Sequence, residues 1–282
     1  MTRGADRQGR RVPAASIEQT IGSLLGALDR DAATHRLANA NGLLQGLDPR
    51  VKIVGMLSLI FSATAARSLF AIAAVFLAAV ALAVLSKVPI RFIATRVWVS
   101  VLAFTGTIAL PALFLTPGPS LLKLPWIGWE ITAPGLRSAA FLIARAETAA
   151  TLALLLVTCT PWTHVLKALR VLRVPALAVT ILGMTHRYIF LLLQLATDMF
   201  VARRSRTLGR MTAGMRRHTA TASAGVLLEK SLELSGEVYS AMHSRGFTGE
   251  IFLLDNFKMQ ARDWRALAAF SAFAACALWI GR

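Results

Sequence analysis

The sequence is short of acids. It holds 14 Asp and Glu against 31 Lys and Arg, a formal net charge of +17 over 282 residues. Charged residues of both signs make up only 16% of the chain, where soluble globular domains carry about 25%. Hydrophobic residues make up 56%, and the mean hydropathy is +0.59. Several stretches carry no charge at all, which the core of a water-soluble domain does not require. These absences exclude a soluble enzyme and a disordered chain, and leave a polytopic, all-α membrane bundle as the fold class. Cysteine is scarce too: Cys159 and Cys276 lie in apolar surroundings without C-x-x-C spacing, and read as two small buried side chains. The five histidines, His35, His164, His186, His218 and His243, show no ligand spacing, so no metal site and no cofactor are expected in this chain. No Gly-rich phosphate loop, Walker-type motif or paired nucleophile is present, which argues against an enzyme. Residues 1–50 are polar and basic, with no apolar stretch of the kind a signal peptide needs.

A surplus of cations can mark a nucleic-acid binder. Here the cations cluster in polar segments beside apolar runs, and the aromatic-plus-basic motifs of nucleic-acid modules are missing, so no nucleic-acid partner is expected. The pattern is that of cytoplasmic loops under the positive-inside rule. Residues 1–15 read as disordered. Ile17, Ile21, Leu24, Leu25 and Leu28 then recur at helical spacing, an amphipathic helix for the membrane surface or the bundle. Asp48-Pro49 suits a helix start, with Asp as N-cap and Pro in the first helical position.

Four apolar runs follow, at 51–66, 68–86, 97–115 and 138–160, and a fifth at 266–280 lies between Trp264 and Trp279 as interfacial anchors. About 20 helical residues cross a hydrocarbon core of roughly 30 Å, so the first run is short. Pro111 is tolerable inside the third. Run four contains Arg145 and Glu147, two residues apart and so on different faces. Arg145 is expected to face the bundle, and both read as structural packing rather than an ion path. Lys87, Arg91 and Arg96 separate runs two and three, Lys167, Arg170 and Arg173 follow run four, and Lys258, Arg262 and Arg265 precede run five. The simplest topology places the N-terminus and these basic segments in the cytoplasm of an inner, cytoplasmic-membrane protein.

The domain reading is a tail and amphipathic helix over 1–49, a four-helix membrane bundle over 50–160, a cytoplasmic and interfacial module over 161–247, and a last transmembrane helix within 248–282. Within the module, Lys167, Arg170 and Arg173 lie opposite Val165, Leu166, Leu169 and Leu172, an amphipathic helix. Residues 176–202 are apolar enough to pass for a span, yet hold His186, Arg187, Gln194 and Asp198. A crossing there would also put the six arginines of 203–217 outside. A long helix that stays on, or returns to, the cytoplasmic side fits better. Residues 219–245 form a further helix with an acidic stripe, Glu229, Glu233 and Glu237, that solvates one face or pairs with arginines of the neighbouring helix.

One pattern occurs twice. Residues 202–206 (ARRSR) and 241–245 (AMHSR) share A-x-x-S-R, each at the expected C-terminal end of a long helix and with glycine soon after, at Gly209 and Gly246. Small neighbours leave Arg206 and Arg245 unobstructed, able to enter a groove and fork onto carboxylates or helix C-terminal carbonyls. The plainer alternative is that each arginine interacts with its own helix C-terminus.

Several of these segments together resemble one family, the transmembrane T component of energy-coupling factor (ECF) transporters of the cobalt/nickel type, CbiQ. They are LDPRVK at 47–52, the TCTPW…LKALRVLRVP stretch at 158–175, THRYIF at 185–190, and the triplets Ser205-Arg206-Thr207 and Ser244-Arg245-Gly246. The resemblance implies a non-catalytic subunit whose two coupling helices each end in an x-Arg-x triplet docked on one ATP-binding-cassette ATPase subunit. It also implies a separate substrate-binding membrane subunit, which holds the cobalt or nickel. The second triplet has the family's usual small-Arg-Gly form. The first has Thr207 where Gly is frequent, so Arg203 or Arg204 is an alternative contact there. A T component serving a vitamin transporter, and a stand-alone secondary transporter, are the competing readings.

Overall fold

A computed structural model describes residues 22, 26, 38, 42–115, 120–123, 130–206, 213–247 and 259–281. The expectations for 1–15 and for the amphipathic segment at 17–28 lie outside these residues, apart from Gly22 and Gly26, which are helical. The chain divides into two compact units, residues 34–173 with 255–282 and residues 1–33 with 174–254.

In the first unit α1 (Pro49–Ala65) begins as its sequence dictates. The Asp48 side chain accepts a hydrogen bond from the Arg50 N–H at 2.9 Å, and Pro49, with no N–H to leave unpaired, takes the first helical position. Ser68 caps α2 (Leu69–Leu85) in the same way, through the Ala71 N–H. These two 17-residue helices rise about 25 Å each. The third apolar helix starts earlier than the uncharged run: α3 (Ile90–Ile93) passes through a π turn (Ala94–Trp98) into α4 (Val99–Leu115), which contains Pro111. The π turn presents Trp98 to two neighbours: its indole N–H donates to Thr151 Oγ1 at 3.2 Å, and its ring lies 5.7 Å from that of Phe76. A two-stranded antiparallel hairpin, β1 (Ser120–Lys123) and β2 (Glu130–Thr132), occupies part of what the sequence reads as a Pro- and Gly-rich loop. Then come α5 (Ala133–Thr158), capped by Thr132, and the short amphipathic α6 (Trp162–Val171), which buries Leu166 and packs on α1.

Here α1 is surrounded by α2, α5, α6 and the last helix, named α9 (Ala261–Ile280) in chain order. Small residues bring these helices together. Val75, Ala79 and Ala83 line one side of α2, and Ala274 and Ala277 one side of α9; they enclose Met56, Leu59, Leu152 and Leu155. Membrane helices associate through such stripes because lipid offers no hydrophobic drive. At the tightest point a Cβ on Gly55 would stand 2.6 Å from the Phe270 ring. On the outside the reverse holds: Phe70, Phe104 and Trp279 are 76%, 72% and 81% exposed. A soluble monomer does not present bulky apolar residues at this density, whereas lipid accommodates them.

The second unit holds α7 (Ala176–Arg206) and α8 (Ala213–Ser244), helices of 31 and 32 residues that contact each other. Among the described residues, four helices are long and apolar enough to cross a bilayer: Ile90–Pro111, Ala133–Thr158, Ala261–Ile280 and, in α7, Ala176–Arg203. The shorter apolar α2 adds to them. The fold is the all-helical membrane bundle the sequence implies, with the small hairpin as its one β feature among the described residues.

Candidate functional site

Both repeated motifs fall at helix ends. In α7 the Ser205 hydroxyl donates to the Ala202 carbonyl at 2.9 Å; in α8 the Ser244 hydroxyl donates to the Ala241 carbonyl at 3.0 Å. The A-x-x-S spacing makes this bond possible, because a serine hydroxyl in the last turn reaches back to the carbonyl three residues earlier. The residue that follows each serine, Arg206 or Arg245, is exposed. Neither guanidinium bonds a carbonyl of its own helix among the described residues. Arg203 is half-buried. Thr207 and the side chain of Arg204 lie outside the described residues.

The second triplet forms a complete helix stop. The Gly246 N–H donates to the His243 carbonyl at 3.0 Å and the Phe247 N–H to the Met242 carbonyl at 3.1 Å, with Gly246 at φ +77°. This is the Schellman pairing, which requires a left-handed residue just past the helix and therefore favours glycine. Arg245 sits at the cap between the last helical serine and that glycine, so the turn itself fixes where its side chain leaves the helix.

Between α7 and α8 runs an apolar groove of about 500 Å³, lined by Leu177, Ile181 and Tyr188 on one side and by Leu234, Val238 and Met242 on the other. Phe247, set in place by the Schellman turn, closes one end beside Met242. The acidic stripe of Glu229, Glu233 and Glu237 is exposed, and Glu233 pairs with Lys230 of its own helix at 2.5 Å. That hydrogen bond holds the Lys230 ammonium above the usual lysine range.

A second set of polar residues clusters in the bundle, and sequence reasoning missed its centre, Asp263. Its carboxylate accepts from the Asp48 N–H at 3.1 Å and from the Gln260 N–H at 2.9 Å, tying the starts of α1 and α9 together. The local signal was the acid at the third position of an apolar helix; the contact 215 residues away carried none. Lys52, 1% exposed, donates to the Cys159 carbonyl at 3.2 Å just past the end of α5. The LDPRVK segment thus builds a helix start and a clamp. Arg145 faces the bundle as expected, donating to the Ala66 carbonyl at 2.6 Å and lying 5.5 Å over the Phe141 ring. Glu147 is half-buried, with one carboxylate oxygen enclosed and unpartnered among the described residues. Cys159 is buried as the sequence implies, but Cys276 is exposed on α9, because an apolar neighbourhood in a membrane helix can be lipid as well as core. No group of three or more His, Cys, Asp or Glu suited to a metal ion occurs among the described residues.

A bundle of apolar, outwardly exposed helices together with a pair of long helices defines an integral membrane protein. The chain belongs to the CbiQ family of cobalt transport proteins, which matches residues 40–253, and so to the T components of ECF transporters. It is 31% identical over 252 residues to an uncharacterized protein of Methanocaldococcus jannaschii, covering 88% of this chain and 86% of that one. It is 30% identical over 171 residues to the cobalt transport protein CbiQ of Rhodobacter capsulatus, covering 60% of this chain and 65% of that protein.

Proposed function

We propose that this chain is the non-catalytic coupling subunit of an ATP-driven importer, converting the movement of two partner ATP-binding-cassette ATPases into release of a metal ion held by a separate membrane subunit. One observation carries the reading: two long helices of a single unit end in the same serine-braced step followed by an exposed arginine. Ser205-Arg206-Thr207 and Ser244-Arg245-Gly246 are the ATPase contacts, with Arg203 and Arg204 beside the first. The apolar groove between the helices supports a hydrophobic membrane partner for the substrate. In this reading 161–247 is the coupling module, and it lies with the N-terminus on the cytoplasmic side, where the arginines of 203–217 meet the positive-inside rule. The name of the Rhodobacter relative favours cobalt over a vitamin as cargo. Affinity purification of the tagged chain in mild detergent tests the proposal. Recovery of two ATPase chains and a small membrane protein is the expected result; an active transporter made of this chain alone would overturn it.

A further inference from the structure

In the bundle unit, a recess of about 470 Å³ opens between the 42–47 segment, α2 and the first half of α9. Leu43, Leu82, Ala266, Ala269 and Phe270 make its walls, and Arg262 stands among the lining residues. The recess exists because the residues facing it along α9 after Arg262 are alanines, down to the buried Phe270. Its cationic end is built rather than incidental. The Arg262 guanidinium donates to the Gly46 carbonyl, which fixes it against the 42–47 segment. That bond leaves other N–H donors of a five-donor group for a ligand. Arg265 follows one turn along and is exposed. The acid nearest in sequence does not oppose an anion here: both oxygens of Asp263, 4% exposed, accept backbone N–H bonds.

We infer that this recess is a binding site for an anionic phospholipid, with the headgroup phosphate on Arg262 and Arg265 and one acyl chain along Leu82, Ala266, Ala269 and Phe270. The position is where such a ligand lives: Arg262 and Arg265 open an apolar helix that crosses the bilayer, so they sit at headgroup depth. Guanidinium groups fork onto phosphate oxygens, and basic pockets between membrane helices select anionic headgroups. An apolar recess with a cationic mouth matches an amphiphile with one anionic end. A zwitterionic lipid would bring its own cation to the two arginines. The inference depends on the chain spanning a membrane and not on the coupling proposal.

Native mass spectrometry of the full chain, purified in detergent and exposed to either dioleoyl phosphatidylglycerol or dioleoyl phosphatidylcholine, tests it. The wild type is expected to retain one phosphatidylglycerol under conditions that strip phosphatidylcholine. Arg265→Gln, which breaks no bond found among the described residues, should lower that retention at least tenfold, and Arg262→Gln further. Ala269→Phe fills the recess while keeping both arginines, and should abolish retention without changing helix content by circular dichroism. Equal retention of the two lipids, or wild-type retention by Ala269→Phe, would overturn the assignment.

Discussion

Ser205 and Ser244 make the same hydrogen bond at the ends of two different helices, each hydroxyl donating to the alanine carbonyl three residues back. The repeated A-x-x-S is therefore a piece of local structure, and an exposed arginine follows each serine, Arg206 as the last residue of α7 and Arg245 at the cap of α8.

The first prediction follows from the arginines. Arg206→Ala and Arg245→Ala should each lower co-purification of the ATPase chains and metal uptake by about 30-fold, the loss of roughly 2 kcal/mol typical of an interface arginine. Membrane insertion should be unaffected, because neither side chain makes a bond among the described residues. Assembly and transport at wild-type levels in the double variant would remove these residues from the interface.

Gly246 can be tested without touching charge. At φ +77° a β-branched residue costs roughly 1–2 kcal/mol, while asparagine adopts this region more readily. Gly246→Val should unwind the Schellman turn and impair ATPase binding about as much as losing Arg245. Gly246→Asn should stay close to wild type. Pull-down of the ATPase by the two variants, side by side, separates a conformational requirement from mere smallness.

Asp263 holds two amide groups that belong to different helices. Asp263→Ala should destabilise the detergent-solubilised chain by about 2–3 kcal/mol, since hydrogen bonds to a charged group are the stronger kind and both donors lose their partner. Asp263→Asn keeps one acceptor oxygen and should lose roughly half as much. Thermal unfolding followed by circular dichroism reads both. Equal stability of all three proteins would show the contact to be without weight.

At the tightest helix crossing, Gly55→Ala should cost about 1–3 kcal/mol by overpacking against Phe270. Phe270→Leu, harmful alone, should recover part of that loss when combined with it. A double-mutant cycle on melting temperature measures the coupling, and strict additivity would place the crossing elsewhere.

What the sequence disclosed was mostly what is local. The Asp48-Pro49 start of α1 could be read because a cap and the helix it caps are neighbours in the chain. Helix ends carrying A-x-x-S-R were legible for the same reason. The third span was misjudged at its start, since Arg91 and Arg96 lie within the structured helix at 90–98 and the π turn there leaves no periodic trace. Cys276 was misread because apolar character and burial part company when lipid is the solvent. Asp263 escaped notice because its decisive partner is remote. The groove between α7 and α8 could not be foreseen either: the residues lining it are set by how two helices cross, not by either pattern alone.

α9 grips α1 at both extremities. Asp263 takes the Asp48 amide at one end, and at the other the Arg67 amide donates to the Gly281 carbonyl at 2.7 Å. Biogenesis follows from this. While the ribosome is still translating the middle of the chain, α1 lacks its latches, and it gains both only once α9 has been made. Nonsense or frameshift lesions that remove α9 should therefore yield an inserted but unlatched bundle exposed to membrane proteases, however intact everything upstream.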